Sequence, residues 1–463
     1  MPDLGMPETA LRSFRLSMRT ERYDYRTPMK FGGRVVNDVT VASVDCQAET
    51  SIGSATGFGS MTMGVAWAWP DPDLTADQKL EIVLELMERL VELFNDSALA
   101  GHPLDICHQL AEQRSAIADQ IYMERGLGET IPELAILLAA SPIEAAIFDA
   151  HGKSNGQSSY ALLGRDHLPG DLSRFLGDDY RNVFLDELIR PQPVDQLPLY
   201  HLVGALDPLT DADVQTPVSD GLPETLGQWI QRNGLTHLKI KLDGDDLQWD
   251  ADRVARVHAV ATQTRPDLGD GWSFSLDFNE RCRDEDYVLQ MLDLLQRDAP
   301  EALRCVGYIE QPTHRDLTRR PAITMHRVAE SLPVVIDESL VDLHSLRTAI
   351  AQGYSGIALK ACKGHCEAIL LGAVAVREGL YLCVQDLTCV GASLLHSASL
   401  AAHIPGVTAI ESNGRQYCPQ GNQRWMEGFG EFFEIRDGRV PTARLAGPGL
   451  GYGDDPAWES DTA

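Results

Sequence analysis

The sequence has little positive charge. In 463 residues, 39 Lys and Arg stand against 68 Asp and Glu, and the formal net charge at pH 7 is −29. Nucleic acids and anionic membrane surfaces would repel such a chain, which argues against both as partners. An anionic substrate would therefore need positive charge concentrated at its binding site, from lysines or from a metal ion.

Features that direct a chain to a membrane are also lacking. The first residues, MPDLGMPETALRSF, have neither a basic start nor an apolar core, so a signal peptide is not predicted. The most apolar stretch, residues 131–148, is interrupted by Pro132, Glu133, Pro142 and Glu144. It is therefore not predicted to span a membrane.

The cysteines follow no disulfide framework, because they number nine and have no regular spacing. This pattern favours a reducing, cytoplasmic location. A zinc site is conceivable at Cys362, His365 and Cys366, with Cys383 and Cys389 later in the chain, but the paired C-x-x-C spacing is absent. We interpret these cysteines instead as buried, reduced thiols.

The N-terminal part alternates apolar and polar residues as strands do. Residues 11–20 and 35–49 are predicted to form an antiparallel pair, with a loop at 25–33 between them. Residues 51–64 (SIGSATGFGSMTMG) are predicted to form a second, glycine-rich loop. Its glycines do not match a phosphate-cradling motif, so a nucleotide cofactor is not expected.

Helical spacing of apolar residues begins after the AWAWPDPDLT turn. Residues 76–94 are predicted to form an amphipathic helix. Further helices are predicted at about 104–124 and 130–153. Ser141 as a cap and Pro142 at a first helical position would divide the second of these into two shorter helices.

From residue 197 onward, short apolar strands alternate with helical segments. Such units predict a parallel (β/α) barrel, in which functional side chains lie at the carboxyl ends of the strands. Parallel strands are buried on both faces, and the apolar run before Asp337 fits that environment. The eight predicted strands are residues 197–206, 237–243, 273–279, 307–313, 333–339, 356–362, 380–386 and 407–413.

Three consecutive strands end in acids, which are Asp277, Glu310 and Asp337. A single acid at a strand end is often a helix cap. Three acids on neighbouring strands would lie close together and repel one another unless positive charge lay between them. Three oxygen ligands with room for water suit Mg²⁺, and the pattern predicts a magnesium site.

Lysines end the flanking strands. Lys239 and Lys241 are two residues apart on one strand, so both point to the same face. Lys360 ends the sixth strand, which lies opposite the second in an eight-stranded barrel. This geometry predicts a metal on one wall, with a lysine on each side of whatever the metal holds.

Taken in order, these motifs resemble the enolase superfamily, in the branch that includes mandelate racemase and muconate-lactonizing enzyme. The resemblance covers nearly the whole chain and rests on all of the motifs at fitting spacings. The motifs are K-x-K at Lys239 and Lys241, D-x-N at Asp277 and Asn279, E-Q-P at 310–312, D-E-S at 337–339 and K-x-x-K-G at 360–364, with F-D-A-H-G-K before the barrel and P-G-L-G-Y-G near the end.

The resemblance implies an α/β fold, with a modified (β/α)7β-type TIM barrel beneath an α+β capping domain. It implies Mg²⁺ held by the three acids, and removal of the proton α to a carboxylate to give an enediolate. Two cap loops, at about 24–34 and 53–64, would close over the substrate and select it. The expected parts are a cap, a connecting region on the surface, a barrel and a segment returning to the cap, at residues 1–153, 154–196, 197–423 and 424–463.

The lysines are assigned roles from their positions. The base must be a neutral amine, and a metal, a second lysine and partial burial can lower a lysine pKa. Lys241 has these neighbours and is assigned as the base, whereas Lys239, one pleat further from the strand end, would bind the substrate carboxylate. Lys360 would serve the opposite face, which favours racemisation or epimerisation.

The seventh strand decides between patterns within the branch. In the mandelate-racemase pattern a His–Asp pair occupies this side of the site, with the histidine at the end of that strand. This chain has Gln385 and Asp386 there. The chain is therefore more similar to the muconate-lactonizing and dipeptide-epimerase pattern.

Further polar residues have more than one interpretation. Asn279 and Glu338 are interpreted as groups that orient the metal ligands. Asp386 and Glu411, which end strands seven and eight, could bind a substrate ammonium or hydroxyl or could cap helices. Lys363 could share the role of Lys360, but a lysine facing solvent is the interpretation we favour.

Three functions follow from these features. The first is a Mg²⁺-dependent racemase or epimerase of a small-molecule carboxylate, such as an amino-acid derivative. The second is a lyase that uses the same intermediate, as in acid-sugar dehydratases or cycloisomerases. The third is a catalytically silent binding relative, against which the intact acids and lysines argue. Members of the family are commonly multimeric, so a homo-oligomer is expected.

Overall fold

The computed structural model describes residues 6–31, 34–454 and 456. In the N-terminal part, three antiparallel strands form one sheet in sequence order. The strands are β1 (Ser13–Phe31), β2 (Arg34–Glu49) and β3 (Ser54–Thr62).

Strand β1 extends well beyond the predicted strand at 11–20. The predicted loop at 25–33 is wrong for the described residues up to Phe31, because these continue β1, while residues 32 and 33 lie outside the described part. The register against β2 shifts between Asp24 and Met29. Pro28 lies in the shifted segment, and a proline has no N–H to donate to a regular ladder.

The predicted loop at 51–64 is also wrong, because most of it is strand β3. Its glycines serve close packing of the sheet against a helix. A Cβ atom at Gly57 would lie 2.1 Å from the backbone nitrogen of Ala150, and one at Gly59 would lie 2.1 Å from the carbonyl oxygen of Pro142. Larger residues at these positions would push the sheet off the helix.

Five helices complete the cap, and two of them, α2 (Ala76–Asp96) and α5 (Glu133–Ser154), pack directly against this sheet. Helix α2 begins at a capping box in which Thr75 and Gln78 bond to each other's backbone N–H. The single helix predicted at 104–124 is wrong, since α3 and α4 are separated at Leu110, whose φ and ψ of −95° and 1° are not helical. The five helices are α1 (Val65–Ala68), α2 (Ala76–Asp96), α3 (Pro103–Gln109), α4 (Ala111–Arg125) and α5 (Glu133–Ser154).

Helix α5 is continuous, so the predicted division at Ser141 and Pro142 is wrong. Pro142 cannot donate a hydrogen bond to the carbonyl oxygen of Leu138, four residues earlier. The Ser141 hydroxyl donates to that oxygen instead, at 3.0 Å. By length and composition α5 could cross a membrane, but its whole apolar window is buried inside the protein, where it forms the core helix of the cap.

The region 154–196 contributes to the core, so its predicted place on the surface is wrong. It contains the short helix α6 (Ser173–Leu176) and 3-10 turns at Ala161–Leu163, Asp178–Tyr180 and Leu185–Glu187. Single apolar residues are scattered through its sequence among Asp, Gly and Pro. The buried members are Tyr160, Leu162, Leu163, Leu168, Leu172, Leu176, Tyr180, Leu185, Leu188 and Ile189.

The remainder folds as the expected barrel of eight parallel strands, which closes by pairing of its last strand with its first. A short ninth strand, β12 (Arg439–Val440), runs antiparallel to the first barrel strand, β4 (Leu197–Val203), at the amino end of the barrel. The strands are β4 (Leu197–Val203), β5 (His237–Lys241), β6 (Ser273–Asp277), β7 (Val306–Glu310), β8 (Val334–Ile336), β9 (Gly356–Leu359), β10 (Tyr381–Val384), β11 (Val407–Glu411) and β12 (Arg439–Val440).

Helices and turns connect these strands and complete an α/β barrel beneath the cap. The helices are α7 (Leu226–Asn233), α8 (Leu247–Thr264), α9 (Glu285–Asp298), α10 (Pro300–Arg304), α11 (His326–Ala329), α12 (Leu343–Ala351), α13 (His365–Glu378), α14 (Ala392–His403), α15 (Gly414–Tyr417) and α16 (Met426–Phe433). The 3-10 turns are Asp211–Asp213, Pro266–Leu268, Ala361–Lys363, Pro419–Trp425 and Thr442–Leu445.

The cap contacts the loops that follow the carboxyl ends of the barrel strands. The Thr62 hydroxyl at the end of β3 donates to the carbonyl oxygen of Leu387 at 2.8 Å. Arg315, after β7, donates to the carbonyl oxygen of Trp67 in α1 at 3.0 Å. The cap therefore lies over the end of the barrel at which its functional side chains are expected.

The C-terminal segment returns to the cap and forms hydrogen bonds with it. The Tyr452 hydroxyl donates to the carbonyl oxygen of Phe58 in β3 at 2.6 Å. The backbone N–H of Leu450 donates to the Asp149 carboxylate in α5 at 2.8 Å. These contacts hold the end of the described chain against the sheet and the core helix of the cap.

Buried histidines make the fold sensitive to acid. Burial lowers the pKa of His151 in α5 to about 4, from an ordinary value of 6.5. Unfolding restores the ordinary value, so the unfolded chain binds more protons below pH 6.5 than the folded chain does. We expect the free energy of unfolding to fall as pH decreases from 6.5 towards 4, by up to about 1.4 kcal/mol per pH unit for this one group.

Urea unfolding between pH 7 and pH 4.5 measures this dependence. His151→Gln should reduce the slope by the share of this one histidine, whereas His108→Gln, at an exposed histidine, should leave the slope unchanged. An identical pH dependence in the wild type and both variants would contradict the assignment to His151.

Candidate functional site

The carboxyl ends of strands β5 to β11 bring together six acids and four lysines. None of these ten residues is more than 7% exposed, so their side chains interact in a medium that screens charge far less than water does. The acids outnumber the amines by two. The ten residues are Lys239, Lys241, Asp277, Glu310, Asp337, Glu338, Lys360, Lys363, Asp386 and Glu411.

Lys239 lies at the centre of this group. Its Nζ atom is 2.8 Å from Glu310 Oε1, 3.1 Å from Asp277 Oδ2 and 3.2 Å from Glu411 Oε2. Burial alone lowers the pKa of the amine, but the carboxylates outweigh burial and the net direction is upward. Lys239 is therefore held as a cation that bridges acids on three strands.

Lys241 lies on the same face of β5, nearer its end, and donates to Asp277 Oδ2. Asp277 also accepts from the backbone N–H of Asn279 at 2.9 Å. Burial raises the pKa of the Asp277 carboxyl, but Lys241 and Lys239 more than offset burial and hold it below its ordinary value. Asn279 thus contacts the acid through its backbone, in a left-handed conformation with φ 45°.

Asp337, at the end of β8, has two lysine partners. Lys360 Nζ lies 2.9 Å from its Oδ2 atom, and Lys363 Nζ lies 3.1 Å from its Oδ1 atom. Lys363 also donates to the backbone carbonyl of Asp337 at 2.6 Å. The preferred interpretation of Lys363 as a solvent-facing residue is wrong, because the turn after β9 directs its amine inward to this acid.

Trp67 of the cap covers the two lysines. Its ring centroid lies 4.6 Å from Lys360 Nζ and 5.7 Å from Lys363 Nζ, within the range of cation–π attraction. The prediction of a turn at this residue is wrong, because Trp67 belongs to helix α1 and is buried. The two tryptophans of AWAWP, just before the predicted amphipathic helix, are the sequence feature that marks this segment.

Glu310 has the least compensated charge of the three central acids. Burial and the carboxylates of Asp277 and Asp337 raise its pKa to about 8. Its Oε2 atom accepts from Gln385, at the end of β10. The residue that replaces the histidine of the mandelate-racemase pattern therefore supplies a neutral donor that orients Glu310.

Asp386 organises the loop after β10. Its side chain accepts from the backbone N–H groups of Leu387 at 2.7 Å, Cys389 at 2.5 Å and Asn413. These contacts hold loop backbone and do not cap helix α14, whose N-cap is Gly391, so Asp386 is not a cap of that helix. Glu411 instead faces the charge cluster through Lys239.

Glu338 is buried beside the central acids. Neither of its carboxylate oxygens has a hydrogen-bond partner among the described residues. Burial, together with the Asp337 carboxylate, raises its pKa well above the ordinary value. Both oxygens could therefore accept from a ligand or bind an ion. Glu338 makes no hydrogen bond among the described residues through which it would orient Asp337.

The topology places the lysines on opposite walls. Strands β6, β7 and β8 separate β5 from β9 on one side of the barrel, and β10, β11 and β4 separate them on the other. Lys241 at the end of β5 and Lys360 after β9 therefore approach the site from opposite directions. The acids Asp277, Glu310 and Asp337 occupy the arc between them.

The donor set fits a hard divalent cation. The three predicted ligands are buried carboxylates, and the cluster holds more acids than lysines, so a divalent cation would add positive charge that these acids lack. The ligating atoms of Asp277, Glu310 and Asp337 do not all lie within 4.8 Å of one another. Lysine amines lie between them and provide part of the compensation instead.

A cavity of about 510 Å³ lies in the cap beside Trp67 and the loop after β10. Its walls are mainly apolar, with Met29, Val36, Met63 and Leu387 among them. Trp67 lines this cavity and also contacts Lys360, so this residue links the cavity to the charged cluster, whose own ten residues do not line it.

Comparisons with known proteins agree with this architecture. Residues 222–458 match the family model described as enolase C-terminal domain-like. No curated protein matches the chain. Solved structures match over nearly the full length at low sequence identity, which is evidence for the fold.

Three of these structures illustrate the similarity. The N-succinyl Arg/Lys racemase from Bacillus cereus is 17% identical, with a TM-score of 0.60 and 98% of each chain covered. The muconate lactonizing enzyme from Pseudomonas fluorescens, complexed with muconolactone, is 19% identical, with a TM-score of 0.59 and coverage of 98% of this chain and 99% of that one. The dipeptide epimerase from Enterococcus faecalis, complexed with Mg and a dipeptide, is 16% identical, with a TM-score of 0.59 and coverage of 95% and 99%.

The matched family model spans half of the chain, including the strands that carry the acids and lysines. The chain belongs to the enolase superfamily, in the branch of mandelate racemase and muconate-lactonizing enzyme.

Proposed function

We propose that this enzyme removes the proton α to the carboxylate of a small molecule to give an enediolate, and returns a proton to the same carbon. The product would be the other stereoisomer, which makes the enzyme a racemase or epimerase. The observation that carries this proposal is the placement of Lys241 and Lys360 on opposite walls, with buried acids between them.

Asp277, Glu310 and Asp337 would hold Mg²⁺ in this proposal, as their donor chemistry allows. When bound, the ion supplies Lewis acidity towards a substrate carboxylate and positive charge for the buried acids. Lys239 adds a fixed cation on the same wall. It is positioned to stabilise negative charge as it develops on the substrate.

Lys241 and Lys360 are proposed to move the proton on opposite faces of the substrate carbon. Each must be neutral to accept a proton, and lowering a lysine pKa by about three units costs about 4 kcal/mol. In this structure the Asp337 carboxylate outweighs burial and raises the pKa of Lys360. A lysine beside such acids can act as a base only when other positive charge compensates the acids. In this proposal the metal ion would supply that charge.

The cap is proposed to close the site and to select the substrate. Trp67 covers Lys360 and Lys363 and excludes water from them. The cavity beside Trp67 has mainly apolar walls, so we propose that the substrate carries an apolar group away from its carboxylate. A homo-oligomer in the cytoplasm remains part of the proposal.

A lyase is the second candidate, because the similar structures include muconate lactonizing enzymes as well as epimerases. Removal of the same proton can be followed by loss of a β-substituent instead of reprotonation. The two outcomes differ in their products. Recovered substrate labelled at the α-carbon indicates a racemase or epimerase, whereas a keto acid that reacts with semicarbazide indicates a dehydratase.

Deuterium exchange in D₂O tests the role of the lysines. The wild-type enzyme with Mg²⁺ is expected to label the α-carbon of a carboxylate in a panel of N-acyl amino acids, dipeptides and acid sugars. Lys241→Ala and Lys360→Ala should each slow interconversion by about 100-fold or more, the usual contribution of a positioned base. Each variant should retain more exchange with one stereoisomer than with the other, because one face keeps its base.

Lys153→Ala is the matched control, since this lysine pairs with Asp149 and Asp454 in the cap and C-terminal segment. Its exchange rate should equal that of the wild type. If Lys241→Ala and Lys360→Ala both retain full interconversion, the two-base mechanism is wrong.

Metal binding has a readout that does not require a substrate. At a Mg²⁺ concentration of 100 times its dissociation constant, the wild type should gain about 2.7 kcal/mol in the free energy of unfolding. Glu310→Gln removes one ligand charge and should lose most of this gain. Chemical denaturation with EDTA or with Mg²⁺ measures the difference.

Glu301→Gln, at an exposed carboxylate, should respond to Mg²⁺ as the wild type does. Equal stabilisation of Glu310→Gln and the wild type would show that the ion binds elsewhere.

A further inference from the structure

A second cluster of metal-ligating side chains lies outside the strand-end site. It forms where helices α3 and α5 of the cap meet helix α13 of the barrel, at Cys107, Glu144 and Cys366. One ligating atom from each residue lies within 4.8 Å of the other two. The three residues are 1%, 0% and 6% exposed, so the cluster is enclosed.

We propose that Cys107, Glu144 and Cys366 bind a thiophilic divalent metal ion, of which Zn²⁺ is the representative. Two sulfur ligands and one carboxylate oxygen are a donor set that zinc accepts and that Mg²⁺ does not. The ion is distinct from the one proposed at the strand ends, where all donors are oxygen. In the sequence, Cys362 and His365 are the neighbours of Cys366. In the fold, Cys107 and Glu144 are the ligands that lie beside it.

Charge balance supports the site. Arg114 lies beside Glu144, with Nη1 2.5 Å from Oε1, and is buried as well. Two thiolates and one carboxylate carry three negative charges, which the guanidinium and a divalent ion match. The three ligands, Arg114 and the bound ion would therefore carry no net charge, which favours their burial together.

The carboxylate is also held in place for binding. Glu144 Oε2 accepts from the backbone N–H of Cys366 at 2.9 Å, while Oε1 accepts from Arg114. Such outer contacts orient metal ligands and raise their affinity. A Cβ atom at Gly364 would lie 3.1 Å from Oε2, so a glycine at this position leaves the carboxylate room.

The site would join the cap to the barrel. Cys107 and Glu144 belong to the cap, and Cys366 lies in the first turn of the barrel helix that follows Lys360 and Lys363. An ion shared by these helices would restrain the cap relative to the strand-end site. This role is structural and does not depend on the reaction proposed above.

Metal analysis of the purified chain tests the proposal. After dialysis against Mg²⁺ without chelator, the wild type should retain one zinc ion per chain. Cys107→Ser and Cys366→Ser should each bind Zn²⁺ more weakly by about 100-fold or more, since loss of even an outer contact costs about 10–100-fold. Cys418→Ser, at a buried thiol in a different cluster, should retain zinc with wild-type affinity.

A second measurement needs no variant. Co²⁺ loaded into the metal-free wild type should give a thiolate-to-cobalt charge-transfer band, which oxygen ligands at the strand ends cannot produce. The absence of this band, or zinc retained equally by Cys107→Ser and Cys366→Ser, would overturn the proposal. Peptide mapping that finds a disulfide between Cys107 and Cys366 in the isolated chain would overturn it as well.

Discussion

The structure depends on compensation of like charges buried at one end of the barrel. Six carboxylates and four amines lie at the carboxyl ends of the strands, and none of them reaches bulk water to any large extent. Carboxylates in such a medium repel strongly, and the pKa of Glu310 rises because the residue is buried and because its neighbours are acids. The positions of Lys239, Lys360 and Lys363 follow from this constraint, as does the need for further positive charge.

The barrel topology gives the charged site two opposite walls, each with a lysine. Closure of eight strands places the ends of β5 and β9 opposite each other, so the two lysines cannot share a wall. The cap then covers the open end. Glycines at 57 and 59 let its sheet approach helix α5 closely, and Trp67 extends from the cap to the lysines. Packing in the cap thus limits the exposure of the charged cluster to water.

Much of this arrangement could be predicted from the sequence, because barrel strands are short apolar runs and a charged residue at their end marks the functional face. The cap was harder to predict. Glycines in β3 indicate a loop unless the helix against which they pack is known, and Pro142 indicates a helix break unless the Ser141 hydroxyl is seen to replace its missing bond. Lys363 and the meeting of Cys107 with Glu144 depend on long-range contacts that local patterns do not record.

The central claim is that one divalent ion held by three strand-end acids works between lysines on opposite walls. A crystal structure with Mn²⁺ and a substrate carboxylate tests it most directly, because manganese can be located by its anomalous scattering. The account predicts a single strong peak coordinated by Asp277, Glu310 and Asp337, with Lys241 and Lys360 on opposite faces of the α-carbon. A peak at other ligands, or both lysines on one face, would contradict it.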